Sequence, residues 1–200
     1  MTPDVPGVTE LAPLGRGGRS AVYRGRWRGR DVAVKRGAVP RLPEHPYLVR
    51  VYEPGPPWVV MELCRGSYWD RVPLPPEEVR DVGAKVADAL AAAGRAHGDV
   101  TPGNILVGCD GEPRLADFGS PDTLTPAYTA PEVFRGGPPS DVYSLGATLR
   151  TLLGDGAVPP GLAAVLDKAT AEDRDDRYGS VPALRDALSA LGGPAARGPG

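Results

Sequence analysis

Apolar and polar residues alternate through the first third of the chain with the two-residue period of β-strands. The alternation predicts strands at residues 8–14, 20–27, 31–35, 48–52 and 58–63. A glycine-rich turn at 15–18 separates the first two strands, and a tight turn at 27–30 leads into the third. Together these segments predict a small antiparallel sheet.

From Pro76 the apolar period lengthens to that of a helix. Apolar residues recur at 79, 82, 86, 89, 90 and 93, and Pro75-Pro76-Glu77-Glu78 is typical of a helix start. Further helices are predicted at 141–153, with Ser140 as cap, at 161–171 and at 181–191. Strands followed by helices indicate an α+β, two-lobed body. We therefore expect a flexible N-terminus at 1–7, a sheet lobe at 8–63, a helical lobe at 64–191 and a disordered tail at 192–200.

Composition bounds the class of protein. Of the 200 residues, 41% are apolar, which is enough for a core, and the many prolines fall mostly between periodic segments. The net charge of −2 gives no sign of a nucleic-acid or membrane surface. Cys64 and Cys109 have no metal-ligand spacing and are expected to be reduced thiols. With no apolar run of membrane-spanning length and no secretory leader, we expect a soluble, cytoplasmic protein.

Two stretches carry candidate chemistry. One is His97-Gly98-Asp99-Val100-Thr101-Pro102-Gly103-Asn104, and the other, thirteen residues further on, is Asp117-Phe118-Gly119. Asn104 is the only asparagine in the chain. Each of Asp99, Asn104 and Asp117 could be an ordinary turn or cap residue. All three in this arrangement instead favour a site that holds a metal-nucleotide and activates a hydroxyl.

These stretches resemble the catalytic loop, H-R-D-x-x-x-x-N, and the metal-binding D-F-G of protein kinases. Four more segments are similar to that family, in the same order: a glycine-rich loop at 14–23, a lysine strand at 32–35, the end of an activation segment at 125–132 and the start of a buried helix at 140–146. The resemblance runs from about residue 8 to residue 191 and is closest in character to bacterial Ser/Thr kinases. It implies a two-lobed protein-kinase-like fold, ATP as substrate and Mg²⁺ as cofactor.

The resemblance also implies a role for individual residues. Asp99 would orient the attacking hydroxyl and accept its proton, Lys35 would pair with the phosphates, and Thr101 stands where such kinases carry a γ-phosphate lysine. Asp117 and Asn104 would hold the metal ions. The residues implied to contact the nucleotide are Leu14, Gly15, Gly17, Val22, Ala33, Lys35, Met61, Glu62, Cys64 and Leu106, with Glu62 and Cys64 acting through their backbone.

Three residues are expected to support the site. His97 would hold the catalytic loop rather than act as a base. Asp141 would support the same loop, or would only favour a helix start. Arg177 would form a buried ion pair with Glu132, or would lie unpaired at the surface.

The chain departs from the family pattern most clearly after Lys35. Only nine residues, 36–44, precede His45-Pro46, and they include Pro40 and Pro43, so they cannot form a normal helix. The family's C helix, whose glutamate holds the strand lysine, is therefore expected to be missing. Lys35 would be held by Asp117 alone, by Glu44 along an unusual path, or by a partner.

Other departures concern the catalytic loop and the activation segment. Gly98 replaces the arginine of H-R-D, which leaves no cation for an activation-loop phosphate. Thr101 replaces a charged donor, which should weaken transition-state stabilisation. The segment 117–132 is short.

Three functions follow as hypotheses. The leading one is a minimal Ser/Thr protein kinase that needs no activation-loop phosphorylation. The second is a pseudokinase that binds nucleotide or acts as a scaffold; the apolar sheet left open by the missing helix would then be covered by a partner or a second copy. The third is a small-molecule phosphotransferase, suggested by His-Gly-Asp but disfavoured by the peptide platform at 125–132.

Overall fold

The structure, a computed structural model, describes residues 4–17, 20–37, 39–54, 57–118, 124–135 and 140–192. Gly119, the last residue of the D-F-G motif, and the predicted tail beyond Gly192 lie outside the described residues. The division between the lobes at residues 63 and 64 stays a prediction.

The N-terminal lobe is built on one antiparallel sheet of five strands, as predicted. The strands are β1 (Val8–Gly17), β2 (Ser20–Trp27), β3 (Arg30–Arg36), β4 (Val51–Glu53) and β5 (Trp58–Glu62), in the spatial order β1-β2-β3-β5-β4. The turn between β2 and β3 places Arg28 and Gly29 at φ values of 50° and 78°. Two consecutive positive φ values match the right-handed twist of the strands that they join.

The outer face of the sheet is covered by the N-terminal residues. Along β3, Val32 and Val34 point to this face and are fully buried. Val5, only 3% exposed, packs against them, and the Val8 N–H donates to its carbonyl at 3.0 Å. The prediction of a loose N-terminus is therefore wrong for this residue, because burial of its side chain holds the chain in place.

The inner face of the sheet carries Ala33 and Lys35. No helix is present among the described residues between β3 and β4, 37 and 39–50, so the prediction of a missing C helix is confirmed there. The apolar surface expected there is covered in part, because Val39 and Val49 from this connection pack on Ala33, Val59 and Met61. The connection thus closes part of the face that a helix would otherwise cover.

The connection ends on the C-terminal lobe rather than in the sheet. Leu48 was predicted to begin a strand of the sheet, but it forms a bridge with Leu115 and its side chain joins the C-terminal core. The Leu115 N–H donates to the Tyr47 carbonyl at 2.8 Å, and the Val49 N–H donates to the Leu115 carbonyl at 3.0 Å. The prediction for 48–52 is wrong in position because burial of Leu48 in the other lobe delays the strand until Val51.

The C-terminal lobe is mainly helical. Its elements are α1 (Pro76–Ala93), a two-stranded antiparallel pair of β6 (Ile105–Val107) and β7 (Pro113–Leu115), α2 (Asp141–Leu153), α3 (Pro160–Ala169) and α4 (Val181–Ala190). The helices pack so closely that a Cβ on Gly83 of α1 would lie 2.6 Å from Leu149 Cδ1 of α2. This core is the platform on which the candidate site stands.

Candidate active site

The catalytic loop, residues 97–104, is fastened to the buried helix α2. The Asp141 carboxylate accepts the His97 N–H at 2.8 Å and the Gly98 N–H at 2.9 Å. Two turns further along α2, the Thr148 hydroxyl donates to the Val100 carbonyl at 2.8 Å. The prediction that Asp141 supports the loop is confirmed. Asp141 is also the first residue of α2, so it lies at the helix start as well.

His97 has a structural role that its hydrogen bonds define. Its Nδ1 lies 3.2 Å from the Asp99 N–H and can only accept that proton. The ring proton therefore sits on Nε2, which donates to the Ala116 carbonyl at 2.7 Å. The buried ring also packs against Phe118, with the two centroids 4.5 Å apart. His97 thus joins the catalytic loop to the D-F-G segment, as the sequence predicts.

Gly98 adopts a backbone conformation that suits glycine. Its φ is 84°, in the left-handed region that a residue with a Cβ enters only with strain. An arginine in this backbone conformation would be strained, and the glycine supplies no cation at this position.

The side chain of Asp99 is oriented by the activation segment. Its Oδ1 accepts the Thr125 N–H at 3.0 Å. No hydrogen bond to Oδ2 is found within the described ranges, so this oxygen is available to a hydroxyl. A carboxylate with one oxygen anchored and the other available has the arrangement that a proton acceptor needs.

Asn104 closes the same loop. Its Nδ2 donates to the Asp99 carbonyl at 2.8 Å, which leaves its Oδ1 as an acceptor. Its backbone N–H lies 3.0 Å from the Thr101 carbonyl and 3.3 Å from the Thr101 hydroxyl oxygen. Thr101 is buried, and in this structure its hydroxyl caps the loop. A contact of Thr101 with the γ-phosphate stays a prediction.

Asp117 is carried to this loop by its neighbour in the chain. The Ala116 N–H donates to the Asn104 carbonyl at 2.9 Å, while the Ala116 carbonyl is held by His97. Asp117 itself has a φ of 63°, which is uncommon for a residue other than glycine and is typical of functional sites.

Lys35 reaches Asp117 from the N-terminal lobe. Its Nζ lies 2.5 Å from Asp117 Oδ1, with the side chains 21% and 40% exposed. Glu44 instead pairs with Arg50 at 3.0 Å on the surface. Of the three alternatives for holding Lys35, the structure therefore shows Asp117, and the Glu44 path is wrong.

The oxygen donors at this place fit Mg²⁺. Asp117 Oδ2 and Asn104 Oδ1 have no hydrogen bond within the described part of the chain, and carboxylate and amide oxygens are the ligands that Mg²⁺ accepts. The Lys35 ammonium next to Asp117 adds the positive charge that a bound phosphate needs. The chemistry of the donor set thus agrees with the predicted metal ligands.

The predicted adenine slot is assembled in part. Val22, Ala33 and Met61 share one apolar cluster on the inner face of the sheet. Leu14 is half exposed, and neither it nor Leu106 of β6 belongs to this cluster. Gly15 and Gly17 lie in β1 opposite Val22 and Ser20 of β2. A contact of Leu14 and Leu106 with the nucleotide stays a prediction.

The hinge, residues 62–66, connects the sheet to the helical lobe. The Glu62 carboxylate pairs with Arg114 of β7 at 3.3 Å and accepts the Arg50 N–H at 3.3 Å. Its backbone N–H donates to the Arg50 carbonyl at 2.8 Å. Glu62 therefore fixes the hinge to both lobes, a role of its side chain that the sequence did not indicate.

The activation segment ends in a buried ion pair. Arg177 donates two hydrogen bonds to the Glu132 carboxylate, at 2.7 and 2.9 Å, and its side chain is 1% exposed. It also donates to the Ala171 and Glu172 carbonyls. The Arg177 guanidinium lowers the pKa of Glu132 below its ordinary value. The predicted buried pair is confirmed, and the alternative of an unpaired surface arginine is wrong.

Two supporting residues were missed from the sequence, Thr148 and Arg114. Thr148 lies seven residues after Asp141, two helical turns along the same face, and this spacing could have indicated it. Arg114 gave no signal, because its contact with Glu62 depends on how the two lobes meet.

Comparison with known proteins agrees with this geometry. The serine/threonine-protein kinase PknK of Mycobacterium tuberculosis is 36% identical over an alignment of 202 positions, gaps included, that covers 74% of this chain and 18% of PknK. PknL of the same organism is 33% identical over an alignment of 257 positions, gaps included, that covers 90% of this chain and 64% of PknL. The chain thus spans less than a fifth of PknK and under two thirds of PknL. No protein-family model matches the chain.

A solved structure gives the match in three dimensions. The kinase domain of Mycobacterium tuberculosis PknI superposes with a TM-score of 0.75 at 26% identity, covering 94% of this chain and 98% of that domain. No helix within the described residues is long and apolar enough to cross a bilayer. The fold, the paired catalytic and D-F-G segments and these similarities together show that the chain belongs to the protein kinase family, among the bacterial Ser/Thr kinases, in a shortened form without the C helix.

Proposed function

We propose that the chain transfers the γ-phosphate of ATP to a serine or threonine hydroxyl of a protein. The observation that carries this proposal is the pairing of Lys35 with Asp117 across the two lobes, next to a catalytic loop that leaves Asp99 Oδ2 available. Phosphoryl transfer depends on positioning and charge neutralisation more than on covalent chemistry, and these residues supply both.

Each residue has a defined task in this reaction. Asp99 orients the acceptor hydroxyl and takes up its proton through Oδ2, while Thr125 fixes Oδ1. Lys35 neutralises charge on the nucleotide phosphates. Asp117 and Asn104 would hold Mg²⁺, which when bound neutralises phosphate charge and orients the transferred group. Backbone groups of Glu62 and Cys64 would meet the adenine edge.

Activity without activation-loop phosphorylation is supported by the anchoring of residues 124–135. The Thr125 N–H binds Asp99, the Thr129 hydroxyl donates to the Thr125 carbonyl at 2.9 Å, and Glu132 is held by Arg177. These contacts require no phosphate. The same ordered segment offers a platform for a peptide, which disfavours the small-molecule phosphotransferase.

A pseudokinase is the second candidate function, and the missing helix favours it. Among the residues that the structure describes, no glutamate holds Lys35, so the lysine depends on a residue that is also a predicted metal ligand. A protein of this kind would bind Mg-ATP without transferring phosphate.

The deciding experiment incubates the purified chain with labelled Mg-ATP and a generic protein acceptor. We expect wild-type transfer to fall by about 10²–10³-fold in Asp117→Asn and in Asp99→Asn. Asp155→Asn, at an exposed position outside the site, is the matched control and should keep wild-type activity. Equal transfer by wild type and Asp117→Asn would refute the proposal. A thermal shift by Mg-ATP without transfer would establish the pseudokinase.

A partner, or a second copy, that covers the missing-helix surface is a further proposal. A cavity of about 710 Å³ adjoins this surface, between residues 40–46 and β4, and would accommodate part of such a partner. Specific activity that rises with protein concentration would support a second copy, and flat activity across dilution would refute it.

We also infer a cytoplasmic location, which agrees with two free cysteines.

A further inference from the structure

The only two cysteines of the chain lie on neighbouring segments at the hinge. Cys64 is a hinge residue, and Cys109 lies 45 residues later in the turn between β6 and β7. The exposed Cys109 thiol donates to the carbonyl of Leu63, the neighbour of Cys64, at 3.4 Å. Two distant segments thus bring the two thiols to the same stretch of backbone.

The hinge on both sides of Cys64 is held against β6 and the turn that follows it. The Arg65 N–H donates to the Val107 carbonyl at 2.8 Å, and the Cys109 thiol donates to the Leu63 carbonyl at 3.4 Å. The backbone around Cys64 therefore runs directly beside the turn that carries Cys109.

We propose that Cys64 and Cys109 form a reversible oxidation site, in which a disulfide ties the hinge to the β6–β7 turn and weakens nucleotide binding. The effect on the nucleotide rests on the proposed function, but formation of the disulfide does not. The thiols occur free in this structure, which represents the reduced state.

A hydroperoxide such as hydrogen peroxide is the required oxidant. The Cys109 sulfur, which is the exposed one, attacks a peroxide oxygen, the O–O bond breaks, and a sulfenic acid and water form. The Cys64 sulfur then attacks the Cys109 sulfur, the S–S bond forms and the S–O bond breaks with release of a second water. In total, two thiols lose two electrons and two protons, and one peroxide becomes two waters.

The second step is limited by Cys64. Burial is the main cause that raises the pKa of its thiol, to about 12, so little of it is thiolate near neutral pH. Because the thiolate is the nucleophile, the closing step should accelerate about tenfold for each pH unit between pH 7 and pH 9. The Cys109 sulfenic acid should therefore accumulate at neutral pH before the disulfide forms.

The cross-link would join two parts of the predicted adenine slot. Backbone groups of Glu62 and Cys64 would meet the adenine edge, and Leu106 of β6, just before the turn, would form part of an apolar wall. Oxidation also removes the S–H that donates to the Leu63 carbonyl. Both changes shift the hinge backbone on which adenine recognition would depend.

The test treats the purified wild-type chain with hydrogen peroxide, followed by thiol blocking, trypsin and mass spectrometry. The expected product is peptide 51–65 linked to peptide 96–114, two hydrogens lighter than their sum, from a monomer on a non-reducing gel. Cys109→Ser and Cys64→Ser should each abolish it. Cysteines oxidised separately, or cross-linked between molecules, would overturn the proposal.

A second measurement addresses regulation. Oxidised wild type should bind an ATP analogue at least about fivefold more weakly than reduced wild type, and a dithiol reductant should restore the affinity. Cys109→Ser should show no change on oxidation. If the linked peptide forms but the affinity for the ATP analogue is unchanged, the proposed effect on nucleotide binding is overturned. If reduced wild type binds no nucleotide, the proposed function fails, while the peptide map still decides the disulfide.

Discussion

The two sides of the candidate site are held in very different ways. On the helical side, the catalytic loop is fixed by Asp141, Thr148 and His97 to a buried helix and to the D-F-G segment. On the sheet side, the one ionic contact of Lys35 with a described residue is that with Asp117, and this contact is partly exposed to solvent. The first side is preorganised by the core, whereas the second depends on one carboxylate.

This contrast explains how the chain can lack a C helix. The helix would serve the lysine and the inner face of the sheet, not the catalytic loop. Val39 and Val49 cover part of that face, and Asp117 takes over the lysine. The positioning of Lys35 and the binding of the metal are then no longer independent, because the carboxylate that positions Lys35 is also the predicted metal ligand.

The largest effect on stability should come from the buried pair on the helical side. Arg177→Ala leaves Glu132 without its partner and two carbonyls without donors, and should lower the free energy of unfolding by about 3–5 kcal/mol in chemical denaturation. Arg150, whose partner Asp167 is exposed, is the control, and Arg150→Ala should cost less than about 1 kcal/mol. Similar costs for both variants would show that the helical side is not specially organised.

Removal of Asp141 should loosen the catalytic loop while the sheet side stays intact. Asp141→Ala leaves the His97 and Gly98 N–H groups without their acceptor and should cost about 1–3 kcal/mol of stability. The rate of phosphate transfer should fall with little change in the KM for ATP, because the loop and not the nucleotide slot is disturbed. Steady-state kinetics test this, with Asp155→Ala as control. A rise in KM alone would contradict the assignment.

Acid should weaken the helical side of the site as the Glu132 carboxylate loses its charge. The pKa of Glu132 is lowered in the folded chain, so its contribution to stability is present above its ordinary value near 4.5 and is lost as pH falls below that value. The midpoint of urea unfolding, measured between pH 7 and pH 3, should fall less steeply in Glu132→Gln than in wild type. Parallel curves for the two proteins would contradict the contribution of the pair.

Glu44 should have the smallest effect. Its pair with Arg50 lies on the surface, so Glu44→Gln should change stability by less than about 0.5 kcal/mol and leave phosphate transfer unchanged. Kinetics and denaturation of this single variant check the expectation. A large loss of transfer would identify Glu44 as the missing partner of Lys35 in the working enzyme.

The sequence predicted best what depends on local pattern. The periodicity at 141–153 matches α2 residue for residue, and the motif spacing identified the loop that Asp141 and His97 hold. These features were predictable because the residues of a helix face or a loop motif lie close together in the sequence. The Glu132 and Arg177 pair was predictable only through the family resemblance.

What the sequence did not predict depends on contacts between distant segments. Leu48 packs in the core of the other lobe rather than in the sheet, and Val5 packs on the outer face of the sheet. Val39 and Val49 cover part of the inner face. The partner of Lys35 was left open among three alternatives, because Asp117 lies 82 residues away. No local pattern contains such contacts.

The central claim, that Asp117 holds Lys35 in place of a helix glutamate, can be measured without nucleotide. The chain has only three lysines, so acylation of each can be followed by peptide mapping, with Lys85, held by Asp81 and Glu112, as internal reference. Asp117→Asn should speed acylation of Lys35 about two- to fivefold, while Glu44→Gln leaves it unchanged. The claim would be contradicted if Glu44→Gln speeds the acylation of Lys35 and Asp117→Asn leaves its rate unchanged.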